Sequence, residues 1–256
     1  MKFFGMTDKG KVRQDNQDSF IIEYCEPKDC VVTALCDGMG GAKAGGLASQ
    51  LSNKEFVNYV YGKLTSRVSR TVDYRKLLLD ACADANGVAF EYSKFDEAYN
   101  GMGTTLVGGV IKSNGEGYLI NVGDSRAYQV LKRYDTIIQI TRDHSLVEDL
   151  VEYGAITKEQ AKKHPQRNII TRALGSEADV EADYYEISLA QGDMLILCSD
   201  GLSNIVSDEE MLDYAVDYPE PEILCRALMS KALNRGARDN VTVVVIKRCA
   251  CNGVSL

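Results

Sequence analysis

Short apolar segments, each bounded by polar or glycine-containing turns, recur along the chain and constrain its fold most strongly. Their residues either alternate between apolar and polar or run apolar without interruption, and both patterns are typical of β-strands. Connections as short as SNGEG and GDS favour antiparallel pairing over alternation of strands with helices. The predicted strands occupy residues 19–24, 31–36, 104–111, 117–122, 126–131, 136–140, 182–189, 194–198 and 241–246.

Helical periodicity, with apolar residues three and four positions apart, is concentrated in other parts of the chain. Residues 43–97 are predicted to hold two long helices, and another helix is expected after the start signal of Pro219 and Pro221. Ser207 and Glu210 form the capping-box pattern of a further helix start. Because helices and strands come in blocks, the predicted fold class is α+β.

One segment breaks this organisation. Between residues 141 and 182 the sequence predicts only a short helix at 146–153 and a basic turn, KEQAKKHPQR, with no clear strand. We expect a mobile insertion there and call residues 141–182 the flap. A chain of 256 residues suffices for one large core or two smaller ones, and no linker or repeat marks a boundary. The expected organisation is one domain over residues 1–248 and a C-terminal tail at 249–256.

Composition disfavours several classes of function. With 37 acidic and 29 basic side chains the net charge is −8, which argues against a nucleic-acid partner. The eight cysteines include no C-x-x-C pair and His144 and His164 are the only histidines, so a metal site must use oxygen ligands. The N-terminal sequence MKFFGMTDKG is too polar for a signal peptide, and no long apolar run follows, so we expect a cytoplasmic protein without membrane contact.

Aspartates abut four of the predicted strands. Asp37 follows VVTALC, Asp124 follows GYLINVG, Asp200 follows MLILCS, and Asp239 precedes VTVVVI. Carboxylates gathered at one end of a sandwich repel each other unless a hard cation neutralises them, and Mg²⁺ and Mn²⁺ prefer oxygen ligands. The pattern therefore predicts a site for more than one metal ion.

Two of these aspartates are followed by glycine, and Asp-Gly is also a common hairpin turn. The turn interpretation is weakened because Asp37 and Asp200 each lead into a predicted helix rather than a second strand. The glycines after Asp37, in GMGGAKAGG, lack the order of a nucleotide-binding loop. Their bare backbone would instead let a peptide carbonyl, such as that of Gly38, approach a metal ion.

The ordered motifs resemble those of one protein family. VRQDNQDSF, ALCDGMGG, GMGTTL, NVGDSRAY, TRDHSLVEDLVEYGAIT, HPQRNIITRALG, LCSDGL and ARDNVTVVVI occur in this order over about residues 1–248. Their combination is similar to the protein phosphatase 2C type of metal-dependent serine/threonine phosphatases, in its compact bacterial form. The resemblance implies a four-layer sandwich in which two antiparallel sheets are flanked by helices, with the metals at one end.

The same resemblance implies roles for individual residues. Asp37 would bridge two metal ions, Asp200 and Asp239 would complete the first site, and the carbonyl of Gly38 would bind the second ion. Asp18 would hold metal-bound waters. The implied cofactors are Mg²⁺ or Mn²⁺, with two core ions and a third, weaker one.

Two further assignments have a simpler alternative. Arg13 would grip the substrate phosphate through its guanidinium fork, whereas in isolation it reads as an ordinary surface arginine. Asp124 would join Asp200 in holding the third ion, whereas the simpler interpretation is a cap on the turn between two strands.

Two positions depart from better-known members of the family. Gln17 stands where many members carry glutamate, and its neutral amide is a poorer Mg²⁺ ligand, so water would fill that place. Met39 stands in DGMGG where the animal enzymes have histidine, as is common in bacterial relatives. Neither His144 nor His164 is expected beside the aspartates, because both fall in the flap.

The implied function is hydrolysis of phosphoserine and phosphothreonine in proteins by a metal-activated water, since phosphoryl transfer needs charge neutralisation and alignment more than covalent chemistry. The alternative is a catalytically silent pseudophosphatase that binds phosphoproteins or a ligand, and it is disfavoured because the aspartates are all present. A nuclease is disfavoured by the negative charge and the scarcity of histidine. The implied partners are phosphorylated proteins and a cognate Ser/Thr kinase in a signalling pair, with the phosphatase acting as a monomer.

Overall fold

The structure, a computed structural model, describes residues 1–41, 44–66 and 71–249. Its strands are β1 (Lys2–Asp8), β2 (Asp18–Cys25), β3 (Cys30–Met39), β4 (Gly103–Thr104), β5 (Leu106–Lys112), β6 (Glu116–Val122), β7 (Arg126–Leu131), β8 (Thr136–Gln139), β9 (Asp183–Ser188), β10 (Met194–Cys198) and β11 (Val241–Lys247). Its α-helices are α1 (Ala44–Thr65), α2 (Tyr74–Phe95), α3 (Leu146–Glu152), α4 (Lys158–Ala161), α5 (Asp200–Ser203), α6 (Asp208–Asp217) and α7 (Pro221–Asn234).

Two antiparallel sheets form the centre of the molecule. The first has the strand order β1-β11-β10-β7-β8, and the second has the order β2-β3-β5-β6-β9, with the two-residue β4 paired to β3. Short hairpin connections join β2 to β3, β5 to β6 and β7 to β8, and such connections leave no room for the crossovers that parallel pairing needs. The predicted α+β class with antiparallel sheets is confirmed.

The two sheets stack face to face, and the alternation along each strand divides its side chains between two cores. In β3, Val31 and Leu35 face the other sheet, whereas Val32 and Cys36 share a core with Phe56 of α1. On the other side, α5, α6 and α7 cover the outer face of the first sheet. The result is the predicted four-layer order of helices, sheet, sheet and helices.

Each predicted strand is present to within three residues at its ends, and one is divided. The run at 104–111 breaks at Thr105, because Thr104 pairs with Gly38 and, through an isolated bridge, with Leu174 of the flap. β1 is missing from the prediction because Gly5 interrupts its apolar pattern. A Cβ at position 5 would lie 2.6 Å from the ring of Phe20, so a larger residue there would require that ring to shift.

The predicted helices are confirmed where the structure describes them. α1 and α2 are the two long helices expected within residues 43–97, and Lys43 and residues 67–70 lie outside the described residues. α7 begins at Pro221, and the capping box of Ser207 and Glu210 starts α6.

The flap contains one helix that was expected and one that was not. α3 matches the predicted helix, but α4 lies where the sequence suggested only a basic turn. The missed signal is a capping box, in which Thr157 and Gln160 each bond the backbone of the other. No strand occurs between residues 141 and 182, all of which are described, and the predicted mobility of the flap stays a prediction.

The seven described cysteines are free, and six of them are buried. The tail from Ala250 onward, including Cys251, lies outside the described residues. In the part of the chain that the structure describes, none of the helices has both the length and the apolar character needed to cross a membrane.

Candidate active site

The candidate site lies at one end of the sandwich, where β2 and β3 bring two aspartates side by side. Asp18, at the start of β2, is the register partner of Asp37, near the end of β3. Thr105 holds Asp37 from the other side: its Oγ1 accepts the Asp37 N–H at 2.9 Å, and its own N–H donates to the Asp37 carbonyl at 2.9 Å. Because paired strands lie about 5 Å apart, the two carboxyl groups are near neighbours.

Asp18 is buried and links the two sheets. Its Oδ2 accepts hydrogen bonds from Ser199 Oγ at 2.8 Å and from Thr242 Oγ1 at 2.6 Å, both in the first sheet or directly after one of its strands. Ser199 Oγ in turn accepts the Thr242 N–H at 2.9 Å. Asp18 Oδ1 is buried and has no hydrogen-bond partner among the described residues. A buried unpaired oxygen costs about 1–3 kcal/mol, so Oδ1 is a natural position for a bound group.

The first sheet contributes two more aspartates. Asp200 begins α5 shortly after β10, and Asp239 lies just before β11. Since β10 and β11 are antiparallel neighbours, these two positions fall at the same end of the sheet. Gly201 permits the close approach, because a Cβ there would lie 1.9 Å from the carbonyl oxygen of Asn240. The Asn240 amide also donates to two carbonyls of the loop at 9–17, which fixes that loop beside Asp239.

Gly38 shows why the glycine-rich stretch is needed. A Cβ at this position would lie 2.1 Å from the carbonyl oxygen of Gly45 and 2.7 Å from that of Gln17. The bare backbone therefore lets the start of α1 pack directly beside Asp37. Asp37 and Gly38 lie inside β3, so the hairpin-turn interpretation of this Asp-Gly pair is wrong. The Gly38 carbonyl as a metal ligand stays a prediction.

Burial and mutual repulsion raise the pKa values of these carboxyl groups. Desolvation raises the pKa of Asp37 well above its usual value, and the charges of Asp18, Asp200, Asp124 and Asp239 raise it further. Desolvation is also the first cause that raises the pKa values of Asp18 and Asp200, each to about 6. Asp37 is thus the group on which the other four charges act, and a bound cation would favour its ionised form.

Asp124, in the turn between β6 and β7, lies at the same end of the sandwich. Desolvation raises its pKa to about 8, and the charge of Asp200 is the next cause. Its Oδ1 is buried without a hydrogen-bond partner among the described residues. The closeness of Asp124 to Asp200 is what a shared third metal site requires.

Arg13 lies at the edge of this cluster. Its Nη2 donates to Asp239 Oδ2 at 2.8 Å. That hydrogen bond and the charge of Asp239 raise the pKa of Arg13, and the charges of Asp37 and Asp200 add to the effect. About half of the side chain is exposed, so part of the guanidinium fork faces solvent. An isolated surface arginine would not interact electrostatically with three carboxylates of the site.

The donor set fits hard cations in kind, because five carboxyl groups supply only oxygen. Two of their oxygens, in Asp18 and Asp124, are buried and unpaired. Among the described residues, however, no three acidic side chains converge closely enough to ligate a single ion as they stand. Asp239 Oδ2 accepts a hydrogen bond from Arg13 and its Oδ1 accepts the Asn240 N–H, so a bound ion would share this carboxyl group with both donors.

The expectation that neither histidine lies beside the aspartates stays a prediction, but His144 contacts Gly123, the residue before Asp124. The ring Nδ1 of His144 accepts the Gly123 N–H at 3.1 Å, and the backbone N–H of His144 donates to the Gly123 carbonyl at 2.9 Å. Gly123 directly precedes Asp124, so the flap folds back onto the turn that carries this aspartate. Position in the sequence alone could not show this contact.

The hydrogen bonds of His144 also define its protonation. Because Nδ1 accepts a bond, the neutral ring carries its proton on Nε2, which lies 3.2 Å from Asp183 Oδ2. Desolvation lowers the pKa of His144 and favours this neutral form. Arg172 Nη1 holds the other oxygen of Asp183 at 3.0 Å. The chain of contacts from Arg172 to Gly123 therefore ties the flap to the site.

Comparison with known proteins places this geometry in a family. The sequence pattern of the family described as protein phosphatase 2C matches residues 7–234. The serine/threonine phosphatase stp of Listeria welshimeri is 35% identical over 243 residues, which cover 94% of this chain and 94% of the relative.

Solved structures agree with the sequence match. The crystal structure of the Mycobacterium tuberculosis serine/threonine phosphatase PstP/Ppp is 35% identical, with a TM-score of 0.85 over 97% of this chain and 99% of that chain. The catalytic domain of the serine/threonine protein phosphatase PstP in complex with two manganese ions is 34% identical, with a TM-score of 0.79 over 95% of this chain and 96% of that chain.

The fold and the acid-lined site thus define a metal-dependent protein phosphatase. The chain belongs to the protein phosphatase 2C family, in the form found in its bacterial relatives. The family, the fold and the serine/threonine phosphatase activity that the sequence predicts are confirmed at this level.

Replacement of His144 tests its contact with the site. His144→Ala leaves the buried Gly123 N–H without its acceptor, so we expect a loss of about 1–3 kcal/mol in the free energy of unfolding and lower turnover of a phosphothreonine peptide. His144→Asn should recover part of both, since its amide oxygen can replace Nδ1. The measurements are chemical denaturation and steady-state kinetics.

His164→Ala is the matched control for this test. Among the described residues, the ring of His164 accepts one hydrogen bond, from the nearby N–H of Gln166, so stability should change by less than about 0.5 kcal/mol. Equal losses in the two alanine variants, or no recovery in His144→Asn, would contradict the proposed role of His144.

Proposed function

We propose that this chain hydrolyses phosphoserine and phosphothreonine side chains of proteins, with Mg²⁺ or Mn²⁺ held by the acid cluster. The observation that carries the proposal is the meeting of five aspartates at one end of the sandwich, centred on Asp37, with Arg13 at their edge. When bound, such ions neutralise the charge of the phosphate and activate the attacking water.

Different carboxyl groups are proposed to bind each of the two core ions. Asp37 is proposed to bridge both ions, because it lies among all the other acids. Asp200 and Asp239 would complete the first site, and the carbonyl of Gly38 would serve the second. Asp18 is fixed through Oδ2, so its free Oδ1 is proposed to orient water in the site.

Arg13 is proposed to bind the substrate phosphate. Its guanidinium group carries five N–H donors, and the bond to Asp239 engages Nη2. A phosphate dianion offers a stronger, bidentate partner than a single carboxylate oxygen, so it would draw the fork away from Asp239.

A third ion is proposed between Asp124 and Asp200. The support is the charge of Asp200 acting on Asp124, together with the unpaired Oδ1 of Asp124. The ion at this site, as at the two core sites, is proposed to be Mg²⁺ or Mn²⁺.

The remaining proposals concern organisation and partners. We propose one phosphatase domain over residues 1–248, which the family match at 7–234 supports, with a mobile flap at 141–182. The substrates would be phosphorylated proteins of the cytoplasm, and a Ser/Thr kinase would supply them. We also propose a monomer without a nucleic-acid partner, in keeping with the net charge of −8. No observation favours the pseudophosphatase alternative, which would tolerate loss of the aspartates.

Metal-dependent hydrolysis is the first test. With Mn²⁺ or Mg²⁺ the purified protein should hydrolyse a phosphothreonine peptide, and EDTA should stop it. Asp239→Asn should lower turnover by about 100-fold or more with an unchanged circular dichroism spectrum, since a metal ion contributes several kcal/mol to the transition state. Asp80→Asn, on α2 and paired with Lys76, is the control and should retain activity.

Two outcomes would count against the proposal in different ways. Full activity in EDTA would reject the metal requirement. A folded protein that is inert toward a broad phosphopeptide panel would favour the pseudophosphatase.

Asp124→Asn tests the third site. Turnover should fall, while the stabilisation of the fold by Mn²⁺ should persist, because the two core ions do not use this side chain. Asp135→Asn is the control: it replaces the turn aspartate between β7 and β8, whose φ of 44° asparagine also tolerates. If the activity of Asp124→Asn fell only in proportion to its stability, Asp124 would be a turn cap.

A further inference from the structure

A separate concave feature lies at the end of the first sheet opposite the acid cluster. It is a surface cavity of about 530 Å³ formed by the β7–β8 connection, the loop before β10 and the end of β11. Four of its seven lining residues are basic, although only 29 of the 256 residues in the chain are Lys or Arg. We call it the basic cavity after these four residues, Lys132, Arg133, Lys247 and Arg248.

The basic cavity and the phosphatase site lie at opposite ends of the same three strands. Asp124 lies just before β7, Asp200 just after β10 and Asp239 just before β11, and the cavity lies at the other ends of the same strands. β11 has seven residues, so the two sites are about 20–25 Å apart. A small ligand in the basic cavity therefore cannot touch Arg13.

Glycines make room for two of the cations. A Cβ at Gly192 would lie 2.8 Å from Cδ of Lys132, so the lysine stem crosses the bare backbone. A Cβ at Gly115 would lie 2.6 Å from Nη1 of Arg248, and that nitrogen donates to the Leu189 carbonyl at 2.6 Å. Both side chains are thus placed by the surrounding backbone.

The charges of three of these cations are not neutralised by ion pairs. Across the described ranges, none of the ion pairs involves the side chain of Lys132, Arg133 or Arg248. The nearby carboxylate of Asp193 is buried and accepts backbone N–H groups instead, those of Lys132 at 3.0 Å and Ala190 at 2.8 Å. The fold therefore keeps three unpaired cations around one concave surface.

Lys247 is only partly neutralised. Its Nζ donates to the Pro219 carbonyl at 2.6 Å and lies 3.7 Å from a carboxylate oxygen of Glu220. Lys2 approaches the other oxygen of Glu220 at 2.7 Å. One carboxylate thus serves two lysines.

We propose that the basic cavity is a second binding site, for a small polyanion that carries phosphate-type or sulfate-type oxyanion groups. Clustered cations repel each other in a protein whose net charge is −8, and an anion between them relieves the repulsion. The planar fork of Arg248 and the point charge of Lys132 suit oxyanions.

Calorimetric titration with myo-inositol hexasulfate tests the proposal, because sulfate esters are not substrates for phosphate hydrolysis. The Mn²⁺-loaded full chain should bind one equivalent. Lys132→Gln combined with Arg248→Gln should raise the dissociation constant by about tenfold or more, since hydrogen bonds to charged groups are lost. Lys54→Gln combined with Lys63→Gln removes the same charge from α1 and should weaken binding by less than about threefold.

Two further readouts locate the bound probe. The amide NMR signals of Gln191 and Gly192 should shift on titration, and hydrolysis of a small aryl phosphate should show no competitive inhibition. Circular dichroism checks that the variants fold. If the double variant does not fold, Lys132→Gln alone is used, and a smaller loss of affinity is expected. No binding, equal weakening in both double variants, or competition with the aryl phosphate would overturn the proposal.

Discussion

Electrostatic repulsion among five carboxyl groups is the constraint on which the rest of this structure depends. Asp37 lies among the other four aspartates, and both desolvation and their charges oppose its ionisation. A fold that only maximised stability would not place these groups together. The arrangement becomes favourable when hard cations are bound, because each cation stabilises the ionised carboxylates that otherwise repel each other.

The scaffold holds this unfavourable cluster by distributing its members over both sheets. Asp18 belongs to the second sheet but is bonded to Ser199 and Thr242 at the end of the first, so the cluster also locks the sandwich at that end. Gly38 and Gly201 let backbones approach to distances that a Cβ would forbid. Metal binding, sheet packing and the glycine positions therefore depend on one another.

The sequence predicted what depends on local pattern. Four of the aspartates were found because each abuts an apolar strand, and antiparallel strands bring such ends together, whereas Asp18 was assigned only through the family resemblance. Partners set by long-range packing escaped: β1 pairs with β11 from the other end of the chain, and His144 reaches Gly123 only because the flap folds back. Hydroxyl groups such as those of Ser199 and Thr242 carry no sequence signal, since buried serine and threonine usually satisfy backbone groups.

The most direct measurement of the central claim is thermal unfolding of the wild type and of Asp37→Asn, in EDTA and in Mn²⁺. In EDTA the variant should unfold at a higher temperature than the wild type, because one repelling carboxyl group has been removed. In Mn²⁺ the order should reverse, since ions that bind only the folded wild type stabilise it by mass action. No increase in wild-type unfolding temperature with Mn²⁺, or the same increase in Asp37→Asn, would contradict the account.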